Sequence, residues 1–502
     1  MTPDDIDFRR EIYDNVHGFI KITELENKVI DSPFFQRLRN IRQLGLLDYV
    51  FPGALHNRFN HSIGVMHVAD KMIVSLQEKN KVFSGQRKLI RMAALLHDIG
   101  HYPLSHLIES EVKSDTKSKY KPRDISIEID NGIEDNSLSE QSLENKVHNL
   151  NYELHPSRND SLDFAHHERI TGIVIHCTEI YDILKEEFDD NEIRAICQII
   201  AGTYSGPESL IIHSELDADR FDYLLRDSNH TGVKYGLFDS EQIIRNLDYD
   251  EEDNLLVVNE KGQKAVEHYL LSKYFFYSTV IFHKATVGFE LMVKKAYKGL
   301  LERGHAVSYL DLINMFQDES STSTINYLDF TDSWFFNTLK DIEKQKLDYD
   351  KNKDYEIQED VFLIFVSNIL NRVPLTLAHE EQKMVRKGEN FTPRFVDDII
   401  QNHIIEKTGI EERWYIPFEI PISITNVEPY KSLRDSWYSS EDKEETIKIK
   451  KKHENGYKYL IEDEASIIHV LSEQKLKICR VYTKNKEYAA KISEILDKKP
   501  CS

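Results

Sequence analysis

The sequence predicts a mainly α protein with a small α+β region toward its C-terminal end. Two patterns carry this. From Glu24 to about Leu300 apolar residues recur at three- and four-residue steps, as in Val29, Ile30, Phe34, Leu38 and Ile41, which places them on one face of a helix. Near Trp414 the period changes, and WYIPFEIPISITN, ETIKIKKKHENGYKYLIED and KLKICRVYT read as strands joined by turns such as Asn455-Gly456. No repeat of fixed period runs along the chain, which argues against a solenoid. At 502 residues, against about 150 per domain, two or three packed units are expected. Hydrophobic residues make up 40%, with 25 Tyr and 24 Phe to fill cores, so the chain is a folded one.

In chain order, LIRMAALL (89–96) is apolar nearly all round and predicts a buried helix ending at HDIGH, where Gly100 is available to terminate it. Between 110 and 163 the text is polar, acidic and rich in Ser and Asn, and reads as an insertion: a solvated loop, or a lid over a site. Helical text resumes at His166. DYDEEDNLLVVNEKG (248–262) predicts a hairpin, followed by a long helix through HYLLSKYFFYSTVIFHKATVGFELMVKKAYKGLL. More helices follow Ser308, among them DVFLIFVSNIL and RFVDDIIQNHII, and a helix from Lys486 closes the chain. The expected units are a core over 1–305 containing the 110–163 insertion, a helical extension over 306–410, and an α+β region over 411–502.

With 64 Lys and Arg against 86 Asp and Glu, the net charge of −22 argues against a generic nucleic-acid coat or a basic membrane-surface protein. An anionic substrate therefore needs a locally basic pocket. Cys177, Cys197, Cys479 and Cys501 form no CxxC pair and predict neither a disulfide framework nor a thiolate zinc site. The acidic start without an apolar signal region, and the lack of any run of about 18 apolar residues, lead to an expected cytoplasmic location with no membrane partner.

Four positions can supply a metal: His61 in HNRFNHS, His97 and Asp98 in LLHDIGH, and Asp219 in ELDADRFDYLLRD. Two imidazoles and two carboxylates suit one divalent transition ion such as Fe, Mn, Zn, Co or Ni better than calcium. Asp219, Tyr223 and Asp227 fall at i, i+4 and i+8, so on a helix they make a polar row that lines a cavity. The plainer alternative is a solvated stripe with Arg220 and Arg226 as ion-pair partners. His101, His106 and His167-Glu168 are candidates to move protons near neutral pH, while His166 and His176 read as an exposed helix face. Arg37, Arg39, Arg42, Arg58 and Arg220 are the cations nearest these motifs, and guanidinium beside a metal suits phosphate, with Arg37 also readable as a structural partner.

Residues His61, His97-Asp98 and Asp219 stand in the order H, HD, D. Together with DSPFFQRLRNIRQLGLLDYVFPGALHNRFNHSIGV and LLHDIGHYPLSH, they resemble the HD-domain deoxynucleoside triphosphate triphosphohydrolases, over roughly residues 10–108 and 166–300. The resemblance implies a helical HD-domain core holding one catalytic metal at His61, His97, Asp98 and Asp219, with Mg2+ accompanying the bound nucleotide. It implies hydrolysis of a dNTP to deoxynucleoside and inorganic triphosphate. By motif it puts Arg58 at the α-phosphate and makes His106 the general acid. His101, His167 and Glu109 stand beside it, Glu109 where the animal enzymes have Asp. Arg220, Tyr223 and Asp227 would contact the sugar and phosphates, Gln43 the 3′-hydroxyl, and Lys273 a further part of the triphosphate. Asp31, Gln36 and Arg39 match allosteric nucleotide contacts, which implies activation by a nucleotide and a homo-oligomer, from dimer to hexamer. Tyr13 departs from an Asn there, and Asp31 reads equally as an N-cap before Pro33. VIFHK, around His283, lacks the tyrosine that stacks on deoxyribose.

Two other readings stand beside this one. The first is another HD phosphohydrolase, acting on a nucleotide monophosphate, cyclic nucleotide or alarmone. The second is a nucleotide-sensing or nucleic-acid-binding regulator with weak hydrolysis.

Overall fold

The computed structural model describes residues 6–79, 83–119, 165–252, 254–316, 325–350, 360–386, 398–425, 446–452 and 456–496, with residues 389, 391, 393 and 395. The fold is mainly α, as the periodicity predicts. It divides into two compact units. One comprises Met1–Asp48, Gly53–His230 and Lys294–Ile342, the other Tyr49–Pro52, Thr231–Val293 and Glu343–Ser502.

The first unit opens with a hairpin, β1 (Arg10–Asp14) and β2 (Gly18–Ile22), paired antiparallel from Arg10↔Ile22 to Asp14↔Gly18. The turn is tied by Asp14 Oδ1, which accepts from the amides of Val16 and His17, both at 2.9 Å. Gly18 sits at φ 74°, where a side chain is disfavoured. The helical reading starts only at Glu24, so this hairpin is an addition to it. Helix α1 (Glu24–Asp31) begins with a Thr23–Glu26 capping box. The next turn, Pro33–Gln36, is capped by Ser32 rather than by Asp31, which is instead the exposed last residue of α1.

Helix α2 (Arg58–Gln77) and helix α3 (Arg87–Leu96) form the centre of this unit, and all eight residues of LIRMAALL are buried. Arg91 among them is neutralised by Glu26, at 2.7 and 2.8 Å. Helix α4 (His106–Lys119) runs through 110–119, which the sequence reading assigns to the polar insertion. Ile108, Val112 and Thr116, four apart and all buried, give this polar text one packed face. The rest of the expected loop or lid, 120–163, lies outside the described residues. Helices α5 (His167–Cys177), α6 (Asp190–Ile200) and α7 (Ala218–Thr231) follow.

Gly100 does not terminate α3 by a left-handed conformation. A Cβ there would lie 2.2 Å from the Thr171 nitrogen and 2.5 Å from the His167 carbonyl oxygen, so glycine lets the HDIGH turn lie directly on α5. Thr171 fastens the contact: its Oγ1 accepts from the Gly100 amide at 3.0 Å and donates to the His97 carbonyl at 3.1 Å. Gly64 serves α2 and α7 in the same way, since a Cβ there would meet Asp222 Oδ1 at 1.9 Å.

In the second unit the expected hairpin forms as β3 (Leu247–Asp250) and β4 (Leu255–Asn259). The expected long helix is divided near His283 into α8 (Gln263–Phe276) and α9 (Lys284–Glu302), the latter's C-terminal part belonging to the first unit. Helix α10 (Asp332–Asp350) starts in the first unit, which ends at Ile342, and α11 (Val361–Leu370), β5 (Thr376–Arg386) and α12 (Asp398–Thr408) follow in the second. Strand β5 falls in a stretch expected to be helical; its Glu, Gln and Lys residues carry little β preference, and the ladder with a strand about 100 residues later overrides them. The C-terminal strands appear as β6 (Ile416–Ser423), β7 (Lys448–Lys450), β8 (Tyr457–Tyr459) and β9 (Gln474–Thr483), before helix α13 (Lys486–Leu496). They make a β3-β4-β7-β8 sheet and a β5-β9-β6 sheet. Pro417 and Pro421 are tolerated on β6 because it is an edge strand. No helix among the described residues is long and apolar enough to cross a membrane.

Candidate metal centre and the histidine cluster beside it

Three distant segments of the first unit converge. His61 comes from the first turn of α2, whose start is fixed by Asn57 as N-cap. His97 and Asp98 follow the buried helix α3, and Asp219 stands in the first turn of α7. Asp219 Oδ1 lies 2.9 Å from His61 Nε2 and 3.9 Å from His97 Nε2. The Asp98 oxygens lie 3.4 Å from His97 Nε2 and 3.8 Å from His61 Nε2. Ligand atoms bound at about 2.0–2.2 Å must sit roughly 3–4 Å apart, so this spacing fits one cation.

The tautomers point the same way. His97 Nδ1 donates to the Ala94 carbonyl at 2.8 Å, which leaves Nε2 as a buried nitrogen without a hydrogen bond, aimed at the two carboxylates. His61 Nδ1 donates to Asp222 Oδ2 at 2.8 Å and so presents Nε2. An orphaned Nε2, a second oriented Nε2 and two carboxylate groups are what a divalent transition ion needs. Burial alone would suppress protonation of His61, but its hydrogen bonds to Asp219 and Asp222 push its pKa up to about 10. Burial disfavours charge on Asp98 too, yet Arg58 and the three nearby histidines hold its carboxyl well below the usual range. His97 is lowered by burial.

A second cluster adjoins the centre. Glu109, buried on α4, accepts from His106 Nδ1 at 2.8 Å, lies 3.2 Å from His167 Nδ1, and is paired with Lys113 at 2.8 Å. Despite burial, the charge of His167 and the hydrogen bonds from His106 and His167 hold the Glu109 carboxyl far below its ordinary value, and Glu109 in turn raises His167. His101 stacks on His167 with ring centroids 4.2 Å apart, and its buried Nε2 has no hydrogen-bond partner. Burial and the Arg58 charge keep His101 neutral. His106 is 69% exposed, the outward member of the set. His166 is half-buried rather than on an exposed helix face: it caps α5, and its ring lies 4.5 Å from that of His167. Ahead of His106, Leu104 and Ser105 adopt φ of 49° and 58°, conformations disfavoured for residues with side chains. Asp332 holds this turn by accepting from the amides of Leu104, at 2.7 Å, and Arg42, at 3.0 Å.

The other expected residues divide. Arg58 is buried, donating to Asp98 at 2.5 Å and to Ser105 Oγ at 2.8 Å. Gln43 is half-buried, with Oε1 unpartnered. Arg220 bonds Asp217, at 3.0 Å, and the Ser214 carbonyl. Tyr223 is half-buried on α7, and Asp227 does not extend an open polar row: it is buried with His56 at 2.8 Å. Lys273 belongs to the second unit, on α8. Gln36 and Arg39 bond each other at 2.7 Å, Arg39 lies 3.5 Å from the Phe59 ring, and Asp31 accepts from Asn27 at 2.8 Å. Arg37 is structural, donating to the carbonyls of Phe330 and His101 and to Tyr327.

Sequence reasoning missed Asp222, the residue that orients His61. Its signal was the i, i+4 spacing to Arg226, an arginine that the sequence reading offers only as an ion-pair partner in the alternative of a solvated stripe. In the fold the pair is buried at 0% exposure and joined by Asp14, at 2.8 Å from Arg226.

Comparison with known proteins agrees with this geometry. The HD domain family matches residues 58–149 and the HD associated region family matches residues 238–332. The chain is 33% identical to the uncharacterised protein YwfO of Bacillus subtilis over 291 residues, covering 56% of this chain and 54% of that protein. It is 32% identical to mouse deoxynucleoside triphosphate triphosphohydrolase SAMHD1 over 247 residues, covering 48% of this chain and 34% of that one. The chain spans about half the length of the first curated relatives it matches. A crystal structure of a hypothetical protein from Aquifex aeolicus superposes with a TM-score of 0.66 at 26% identity, covering 97% of this chain and 99% of that one. The chain thus carries an HD domain followed by an HD associated region, with two imidazoles and two carboxylates gathered where one cation fits.

Proposed function

We propose that this protein is a metal-dependent dNTP triphosphohydrolase. The observation that carries the reading is the Glu109–His106–His167–His101 cluster standing beside the His61, His97, Asp98 and Asp219 centre, in a chain similar to SAMHD1. His61, His97, Asp98 and Asp219 would hold the ion, which supplies Lewis acidity toward a phosphoryl oxygen and acidifies a water. Arg58 turns its guanidinium from Asp98 toward the α-phosphate, and the His101 Nε2 group, fixed by the Tyr102 amide donating to Nδ1 at 3.1 Å, offers an N–H to a phosphate oxygen. Water attacks the α-phosphorus, releasing a proton to solvent, while the bond between the α-phosphorus and O5′ breaks. His106, whose Nδ1 faces Glu109, gives its Nε2 proton to O5′, so deoxynucleoside and triphosphate leave. Gln43, Arg220 and Tyr223 remain assigned to sugar and phosphate contacts on resemblance. Asp31, Gln36 and Arg39 are the proposed contacts of an activating nucleotide, Arg39 lying against Phe59, and a homo-oligomer is the proposed assembly.

The test is to supply Mn2+, Co2+ or Mg2+ and all dNTPs and NTPs, singly and in pairs, with products identified by 31P NMR. The expected product is triphosphate, with a second nucleotide raising the rate. No triphosphate from any dNTP, or hydrolysis only of monophosphates or cyclic nucleotides, refutes the reading.

A further inference from the structure

The carboxylate behind His61 is saturated from two directions. Asp222 Oδ2 accepts from His61 Nδ1 at 2.8 Å and from Arg226 Nε at 2.8 Å. Its Oδ1 accepts from Arg226 Nη2 at 3.0 Å and from His17 Nε2 at 2.6 Å. His17 is not on the helical core: it sits in the turn of the β1–β2 hairpin, with its side chain 10% exposed and its ring 5.3 Å from that of His67. The same turn reaches the network a second time, because Asp14 receives both Nη groups of Arg226, at 2.8 and 3.2 Å. Asp14 Oδ1 also accepts from the amides of Val16 and His17. Two residues three apart on one turn therefore grip the two groups that fix the His61 ring.

We propose that His17 is a positioning residue for the metal centre, acting through Asp222 on His61, and that order in the β1–β2 hairpin and occupancy of the centre are thereby coupled. The inference rests on the metal reading above. Asp222 orients an imidazole correctly only while its own two oxygens are held, and the backbone amides in the turn hold His17. Coupling is reciprocal: a cation that demands one orientation of His61 must steady the hairpin, and whatever distorts the hairpin must weaken the cation.

Titration of the purified full chain with Co2+, followed by its visible absorption and by calorimetry, tests this. Asp222→Asn should weaken Co2+ binding about 10–100-fold and His17→Ala about tenfold, with shifted absorption bands, while His17→Gln, which keeps an N–H donor, recovers most of the affinity. Hydrogen exchange supplies the second readout: Co2+ should protect amides of residues 10–22 in the wild type and not in His17→Ala. If the wild type binds no Co2+, the metal reading falls and this inference with it. If the wild type binds but His17→Ala binds equally tightly, or Co2+ leaves exchange in the hairpin unchanged, the coupling is refuted and the metal reading stands. Should Asp222→Asn fail to fold, the two His17 variants decide the matter alone.

Discussion

Replacing Gly64 with alanine should separate the two helices on which the centre is built. The added Cβ would lie 1.9 Å from Asp222 Oδ1, 2.4 Å from Arg226 Nη2 and 2.7 Å from Asp222 Cγ. Both side chains are fully buried and committed to one another, so neither can swing into solvent. Reaching even a 3.0 Å contact requires a shift of more than about 1 Å, larger than packed interiors absorb. Either α7 moves off α2 or the ion pair breaks, and breaking a buried pair costs about 3–5 kcal/mol. For a unit of this size that corresponds to a fall in Tm of about 6–20 °C. Calorimetry on Gly64→Ala checks this, with Gly85→Ala as the comparison: Gly85 has φ +83° and nothing within 4 Å, so its substitution carries only about 1–2 kcal/mol of backbone strain. A Gly64→Ala variant within about 1 kcal/mol of wild type would refute the close approach of α2 and α7.

Asp98→Asn should lower metal affinity at least about 100-fold while the helical circular dichroism persists; metal content by mass spectrometry at wild-type level with full turnover would show that Asp98 is not a ligand. For His106→Ala the expectation is retained metal with kcat reduced about 10^2–10^4-fold, and parallel loss of metal would mean that this histidine serves the centre instead of the leaving group. Stability should depend on pH in two opposed ways. Burial raises the Asp332 carboxyl to about 6 from 3.8, so the folded state keeps a proton that the unfolded chain has released, and stability should rise by up to about 3 kcal/mol as pH falls from 7 to 4. Asp14 and Asp222, although buried, are held below 3.8 by Arg226 and its neighbours, so their contribution is complete above that value and is lost as pH falls further. Urea unfolding of the wild type and of Asp332→Asn should therefore diverge as pH falls from 7 to 4, the wild type gaining up to about 3 kcal/mol relative to the variant; an identical pH dependence in the two would refute the assignment.

The proposed ligands were easier to read than the residues that orient them. His61, His97-Asp98 and Asp219 are spaced in a distinctive order, and their helices follow from apolar periodicity. Asp222 and Arg226 show only an i, i+4 charge pair, which ordinarily lies on the surface; what buries it is Gly64, whose role depends on a neighbour about 160 residues away. Gly100 is the same case, read locally as a stop and used globally as a place of contact. The hairpin over 10–22 escaped because two five-residue strands offer little pattern, and β5 because its side chains favour no strand until β9 pairs with it. Helix α4 continued past the apparent start of an insertion because three buried positions suffice to dock a polar helix.

The left-handed turn at Leu104 and Ser105 limits what redesign can achieve. Glycine would relax either position, but Leu104 is wholly buried, and the Ser105 hydroxyl accepts from Arg58 and donates to the Arg42 carbonyl. Relief at that corner would release the guanidinium that faces Asp98, so hardiness and reactivity are opposed there, and a variant selected for heat resistance alone would be expected to drift toward a sturdier but idle protein.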